Sequence, residues 1–169
     1  ETILKHEKIL VKKYRKIDEI PFDFTRKIMS VVVEDGRKHS LIVKGAPEEI
    51  FSRCSRYELG GKIHSLAGRT LPDLKKEYDK LSGQGYRVLA VAYKPVEEKK
   101  AFYSKEDEKN LVLKGYLAFL DPPKPTARKA IRLLKELGVE VKVLTGDNEL
   151  VTRKICSEVG LAAEKVVTG

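Results

Sequence analysis

Two short stretches, about a hundred residues apart, carry residue types that handle phosphate. The first, Thr145-Gly146-Asp147-Asn148, follows an apolar, valine-rich run and precedes a helical periodicity. Loops at the carboxyl ends of strands are where open α/β sheets bind ligands. Gly146 lets the backbone approach a phosphate, and a helix amino terminus favours an anion. Thr145 offers a hydroxyl, and Asp147 offers a carboxylate to the shell around a magnesium ion. The same four letters also fit an ordinary strand-to-helix turn capped by Asp147 or Asn148. The second stretch, Lys44-Gly45-Ala46-Pro47-Glu48, ends a strand and starts a helix. Gly45 permits close approach, and Lys44 is a flexible cation for a phosphate or a base edge. A plain connection with an exposed lysine fits equally well.

Two more segments suit a nucleotide. In Phe22-Asp23-Phe24-Thr25-Arg26-Lys27 an exposed ring can stack on a purine with a cation beside it. Phe22 and Phe24 also fit a strand interior as alternating core residues. Arg87, after Gly83-Gln84-Gly85-Tyr86, can reach a ribose or phosphate, or form a surface ion pair.

Other chemistries lack their residues. The sequence contains no Ser/His/Asp arrangement, no Gly-Lys-Thr phosphate loop and no Gly-x-Gly-x-x-Gly after a strand. Cys54 and Cys156 have neither zinc nor redox spacing, and we expect two buried reduced thiols. His6, His39 and His64 stand apart, so no metal is assigned. Glu106-Asp107-Glu108 reads as a solvated loop, not a metal cage. The net charge of +9 invites nucleic acid, an anionic surface or a phosphorylated ligand as partner. The lysines are dispersed without interleaved aromatics, which argues against nucleic acid. No apolar run reaches the ~18 residues of a membrane-spanning helix. The chain lacks an initiator methionine and ends at Val167-Thr168-Gly169; both ends read as cuts within a longer protein.

The elements that must position these residues follow from periodicity. Residues 1–16 place apolar side chains near helical spacing and predict a helix broken at Pro21. Met29–Val33 and Ser40–Val43, around Glu34-Asp35-Gly36, predict a hairpin. Pro47 to about Cys54 predicts a helix with proline in its first turn. Gly60-Gly61 predicts a turn. Leu71–Leu81 predicts a helix stopped by Gly83 and Gly85. Arg87–Tyr93 predicts a buried strand, 97–109 an exposed charged connection, and Leu111–Leu120 a long strand. Asp121-Pro122-Pro123 then stiffens the backbone. Helix Pro125–Leu137, strand Val139–Leu144 and helix Glu149–Val159 predict a parallel α/β unit. The fold class is therefore α+β. An antiparallel sheet flanked by helices covers residues 1–120, and an incomplete parallel α/β segment covers residues 121–169.

Lys44–Glu48 followed by Asp121-Pro122-Pro123-Lys124 and Thr145–Asn148, in this order, resembles the cytoplasmic ATP-handling part of the P-type ion-pumping ATPases. The resemblance spans essentially the whole chain and is closest to the magnesium-transporting branch. The finer match lies in Asp18–Phe24, Met29–Val33, Gly115–Lys124 and Leu144–Val151. The resemblance implies a nucleotide-binding domain over 1–120, and a hinge with part of a haloacid-dehalogenase-like phosphorylation domain over 121–169. It implies ATP or ADP as ligand, with Mg2+, and the rest of a multi-pass pump chain as partner at the cell membrane. Phe22 would stack on adenine, because Lys27 follows five residues later as in the family; Phe24 is an extra candidate that this spacing disfavours. Lys44 and Gly45 would line the adenine pocket. Arg87 would reach ribose and phosphates, and Glu1 would be an acidic pocket residue. Asp121, Pro122 and Pro123 would form the hinge. Thr145, Gly146 and Asp147 would meet the terminal phosphate. The phosphorylated Asp-Lys-Thr-Gly-Thr segment and the later Gly-Asp-Gly-x-Asn-Asp segment are missing. The chain should therefore bind nucleotide without hydrolysing it. Pumps for calcium or protons, a small phosphatase and a basic interaction module are the alternatives; the phosphatase would need an Asp-x-Asp that the chain lacks.

Overall fold

The computed structural model describes residues 13–36, 38–67, 70–97 and 99–162. Among these described residues seven strands form one sheet in the order β1-β2-β3-β6-β7-β4-β5. They are β1 Tyr14–Asp23, β2 Ile28–Asp35, β3 Lys38–Gly45, β4 Cys54–Leu59, β5 Lys62–Ser65, β6 Tyr86–Val96 and β7 Leu111–Leu120. The helices are α1 Pro47–Arg53, α2 Thr70–Gly83, α3 Ala127–Glu136 and α4 Glu149–Val159. The protein is α+β, but the sheet is mixed. β4 runs parallel to β7, whereas the sequence predicts an antiparallel sheet; a polypeptide that crosses between β4 and β7 through α2 and β6 is free to return in either direction.

The chain divides into two compact units, Glu1–Gly68 with Leu89–Tyr116, and Arg69–Val88 with Leu117–Gly169. In the first, Ile28, Ser30 and Val32 of β2 lie opposite Gly45, Val43 and Leu41 of β3, and these lie opposite Ala90, Ala92 and Lys94 of β6. Side chains directly opposite share a face. Burial marks that face as core: Ile28, Val32, Leu41, Val43, Ala90 and Ala92 are fully buried. The other face, with Met29, Val31, Ile42, Val91 and Tyr93, is half-buried, and Lys44 on it is exposed.

Several local expectations are corrected. Of the helix expected over 1–16, residues 1–12 lie outside the described residues, and Tyr14–Lys16 begin β1. Pro21 does not break an element; it sits in an irregularity between Ile20 and Asp23 on an edge strand, where no ladder partner needs its missing N–H. The 97–109 connection is not simply exposed. Tyr103 and Glu108 are buried, and Lys105–Asp107 forms a 3-10 turn. β4 and β5 form a hairpin that the sequence reading missed, although Gly60 and Gly61, with φ of 58° and 78°, close it as the paired left-handed turn such hairpins prefer. Cys54 is half-buried and Cys156 buried, both as free thiols.

In the second unit, α4 packs against α2 and α3, burying Tyr78, Val151, Cys156 and Val159. Its amino end is capped by Asn148, whose side chain accepts from the Leu150 N–H at 2.8 Å. Gly160, at φ 80°, ends it, with the Leu161 N–H on the Cys156 carbonyl. Arg128 and Lys135 of α3 donate to the Glu158 and Gly160 carbonyls there. Val139–Leu144 is not the expected strand: it pairs with no strand among the described residues. Its alternating valines suit a sheet, but an extended segment needs a neighbour to satisfy its backbone. Val143 and Leu144 are left exposed.

Candidate functional site

The segment Phe22–Lys27 closes β1 and turns tightly into β2. Asp23 organises the turn. Its Oδ1 accepts the backbone N–H groups of Thr25 at 2.8 Å and Arg26 at 3.0 Å. Its carbonyl accepts the Lys27 N–H at 2.7 Å. Its Oδ2 takes Arg26 Nε at 3.0 Å and Lys105 Nζ at 2.8 Å. Those donors, Lys105 first and the Arg26 backbone next, hold the Asp23 carboxyl well below the usual carboxylate range. Arg26 points inward. Its Nη1 donates to both Glu108 carboxylate oxygens, at 2.6 and 2.5 Å, and its Nη2 to the Pro21 carbonyl at 2.8 Å. Glu108, 3% exposed, also accepts from Ser30 Oγ. The connection expected to be solvated thus fastens the turn from beneath, on the buried face.

With Asp23 and Arg26 committed inward, the remaining side chains are presented outward. Phe22 sits in the irregular stretch of β1 between Ile20 and Asp23, where pairing resumes with Asp23 opposite Ile28; on the neighbouring strands Met29, Lys44 and Val91 share one side of the sheet. Phe22 is 49% exposed and Phe24 88% exposed, so neither is a core residue. Their rings meet at 5.3 Å between centroids with 87° between planes. Lys27 takes a left-handed backbone, φ 53°, a conformation that costs a non-glycine residue free energy and marks a constrained turn. Lys27 and Lys44 are both exposed, with no carboxylate partner among the described residues. Gly45 sits against this turn: a Cβ on it would lie 2.3 Å from the Lys27 carbonyl oxygen and 2.7 Å from the Ile28 Cα. The Lys27 carbonyl accepts the Ala46 N–H at 3.0 Å. The structure therefore brings Lys27 and Gly45 together, and the register sets Lys44 opposite Met29.

Arg87, Asp121 and Asp147 meet in the second unit. Arg87 Nη2 donates to Asp147 Oδ2 at 2.9 Å, and its Nη1 lies 3.7 Å from Asp121 Oδ2. Thr145 Oγ1 accepts the Asp147 N–H at 3.1 Å. Asn148 Nδ2 donates to the Tyr78 hydroxyl at 2.7 Å, fixing the loop to α2. No backbone or side chain would obstruct a Cβ at Gly146. Glu1 lies outside the described residues. Asp23, Arg26, Glu108, Ser30 and Tyr78 escaped the sequence reading; only the Asp-Phe-Thr-Arg run, with one turn former between two phenylalanines, hinted at the first two.

Residues 2–126 match the family described as P-type ATPase, cytoplasmic domain N. The chain belongs to the P-type ATPases. It is 49% identical over 95% of its length to "Magnesium-transporting ATPase, P-type 1" of Escherichia coli K12, and 49% identical over 93% to the protein of the same name in Salmonella typhimurium LT2. It is 34% identical over 88% to "Calcium-transporting ATPase" of Bacillus subtilis 168. The chain spans 18% of the length of the two magnesium-transporting relatives and 17% of the calcium-transporting one. The P-type ATPase match covers the Phe22–Lys27 turn, Lys44, Gly45, Arg87 and Asp121–Pro123; the Thr145–Asp147 loop lies beyond it. Among the described residues no helix is long and apolar enough to cross a membrane.

Proposed function

We propose that this chain is the nucleotide-holding cytoplasmic part of a magnesium-translocating P-type ATPase. Residues 1–120 would form the nucleotide-binding domain. Residues 121–169 would form a hinge at Asp121, Pro122 and Pro123 with part of a haloacid-dehalogenase-like phosphorylation domain. The parent would pass the ATP γ-phosphoryl group to an aspartate outside this chain and use the cycle to move an ion across the cell membrane. Identity to magnesium-transporting relatives, 49% against 34% for a calcium-transporting one, favours magnesium as cargo. Mg2+ would arrive on the nucleotide phosphates; no group of three His, Cys, Asp or Glu suited to a metal occurs among the described residues.

In this reading Phe22 stacks on adenine while Lys27 and Lys44 meet its edge or the phosphates. Arg87 serves ribose and phosphate, and Thr145, Gly146 and Asp147 serve the terminal phosphate. One observation carries it: a half-exposed ring at the start of a tight turn that presents Lys27 and requires Gly45, with the exposed Lys44 next to Gly45 in the chain. Stacking is worth ~1–3 kcal/mol per base in nucleic-acid complexes, which converts to roughly 5- to 150-fold in Kd. ATP titration followed by amide chemical shifts should therefore show weak saturable binding centred on residues 22–27 and 44–45. Phe22→Ala and Lys44→Ala should each weaken it at least several-fold. Unchanged isotherms in both variants would dismiss the pocket.

A further inference from the structure

We propose that Phe24 is a second aromatic wall of the base pocket and determines its preference for purines. This rests on the reading of Phe22 as the stacking ring. Phe24 is 88% exposed, so the folded chain gains almost nothing from burying it. It is nevertheless held. The Asp23 carboxylate locks the backbone on either side of Phe24 through Thr25 and Arg26, and its ring meets Phe22 perpendicularly at 5.3 Å.

Two rings at 87° form a corner. A planar base stacked on one wall meets the other along its edge, where a bicyclic purine extends further than a monocyclic pyrimidine. Nearby charge fits the same ligand class. Lys27, three residues on, is exposed without a carboxylate partner among the described residues, and a nucleoside triphosphate supplies the anion. Phe24 is thus a specificity-determining residue: its contact is with the base, and the phosphates belong to the lysines.

The test compares Phe24→Ala, Phe24→Leu and Phe22→Ala in the 169-residue chain, using ATP, CTP and inorganic tripolyphosphate as probes. Phe24→Ala should weaken ATP about three- to tenfold, weaken CTP less, leave tripolyphosphate unchanged and leave the unfolding midpoint unchanged. Phe24→Leu should fall between. Two results overturn the proposal: ATP binding unaltered in Phe24→Ala, or ATP, CTP and tripolyphosphate weakened in parallel, which would mean a distorted turn. If Phe22→Ala weakens ATP while Phe24→Ala does not, only this proposal fails. If neither does, the stacking site itself fails.

Discussion

Removing the Glu108 carboxylate tests whether the site-bearing turn is held from the buried face. Glu108 is 3% exposed and Arg26 9% exposed, so the pair sits out of water and solvent screening is weak. Breaking a buried ion pair by deleting one partner costs about 3–5 kcal/mol, because the survivor stays buried without its counter-charge. Here the survivor is not wholly abandoned: Arg26 retains Asp23 Oδ2 and the Pro21 carbonyl. That places Glu108→Gln at or just below the lower end, about 2–3 kcal/mol, with the Ser30 hydroxyl still able to donate to the amide oxygen. Glu108→Ala also removes one buried methylene worth ~0.8 kcal/mol and the remaining hydrogen-bond acceptor, so about 3–4 kcal/mol is expected. Against a typical domain stability of about 5–15 kcal/mol, that is a large fraction. Urea unfolding followed by circular dichroism, with wild type and both variants at one pH, gives the comparison. The m-value should hold while the midpoint falls. Arg26→Met with Glu108→Leu should recover much of the loss, since a dry apolar pair replaces a charged one. A cost below about 1 kcal/mol for Glu108→Ala would refute the idea that this pair anchors the turn.

Gly45→Ala should destabilise by more than the ~1–3 kcal/mol usual for overpacking. Its Cβ would meet backbone atoms of Lys27 and Ile28 that cannot rotate away, and a melt no lower than wild type would contradict this. The acid limb of stability should be set partly by Glu34 and Asp23. Arg15, then His39, hold the Glu34 carboxyl down to about 2, and Asp23 is also depressed. A carboxylate with a lowered folded pKa contributes stability that is complete above its ordinary value and is lost as pH falls through the folded one. The urea midpoint should thus be flat from pH 7 to about 5 and drop between about 5 and 2. Glu34→Gln with Asp23→Asn should flatten that drop; an unchanged slope would assign it elsewhere.

What was legible in the sequence depended on how local the determining interaction was. The β2–β3 hairpin could be read because alternating apolar residues flank Glu34-Asp35-Gly36, all within one turn of chain. α1 could be read because Pro47 fits a first turn and nothing distant contradicts it. β5 could not: Lys62–Ser65 is exposed throughout, and its support is the Tyr57–His64 cross-strand stack at 5.2 Å, a pair too unremarkable in type to signal a strand. Tyr14–Lys16 carry no local pattern that distinguishes an edge strand from a helix end. Their strand state comes from pairing with Val33–Asp35 twenty residues on. The inward half of the site was hidden for the same reason. Glu108 lies 82 residues from Arg26, and an acidic triplet in a charged connection looks identical whether one member is buried or all are solvated.

The outward half of the proposed site rests on residue type at short spacing. Phe22 and Lys27 lie on one turn, and Gly45 and Lys44 lie opposite Ile28 and Met29, the two residues that follow it. The hairpin therefore converts a separation of about twenty residues into adjacent strand positions. Arg87 shows the limit of such reading. Its type suits a phosphate, yet its guanidinium is shared by Asp147 and Asp121. Any phosphate that recruits Arg87 must replace two carboxylates that already neutralise it. Because Arg87 is more than half exposed, each of those pairs is worth little in water, about 0–1 kcal/mol. A triphosphate carrying several charges can outcompete them, whereas a lone carboxylate ligand cannot. On the proposed reading, the arrangement would therefore favour highly charged anions without needing a deep cavity.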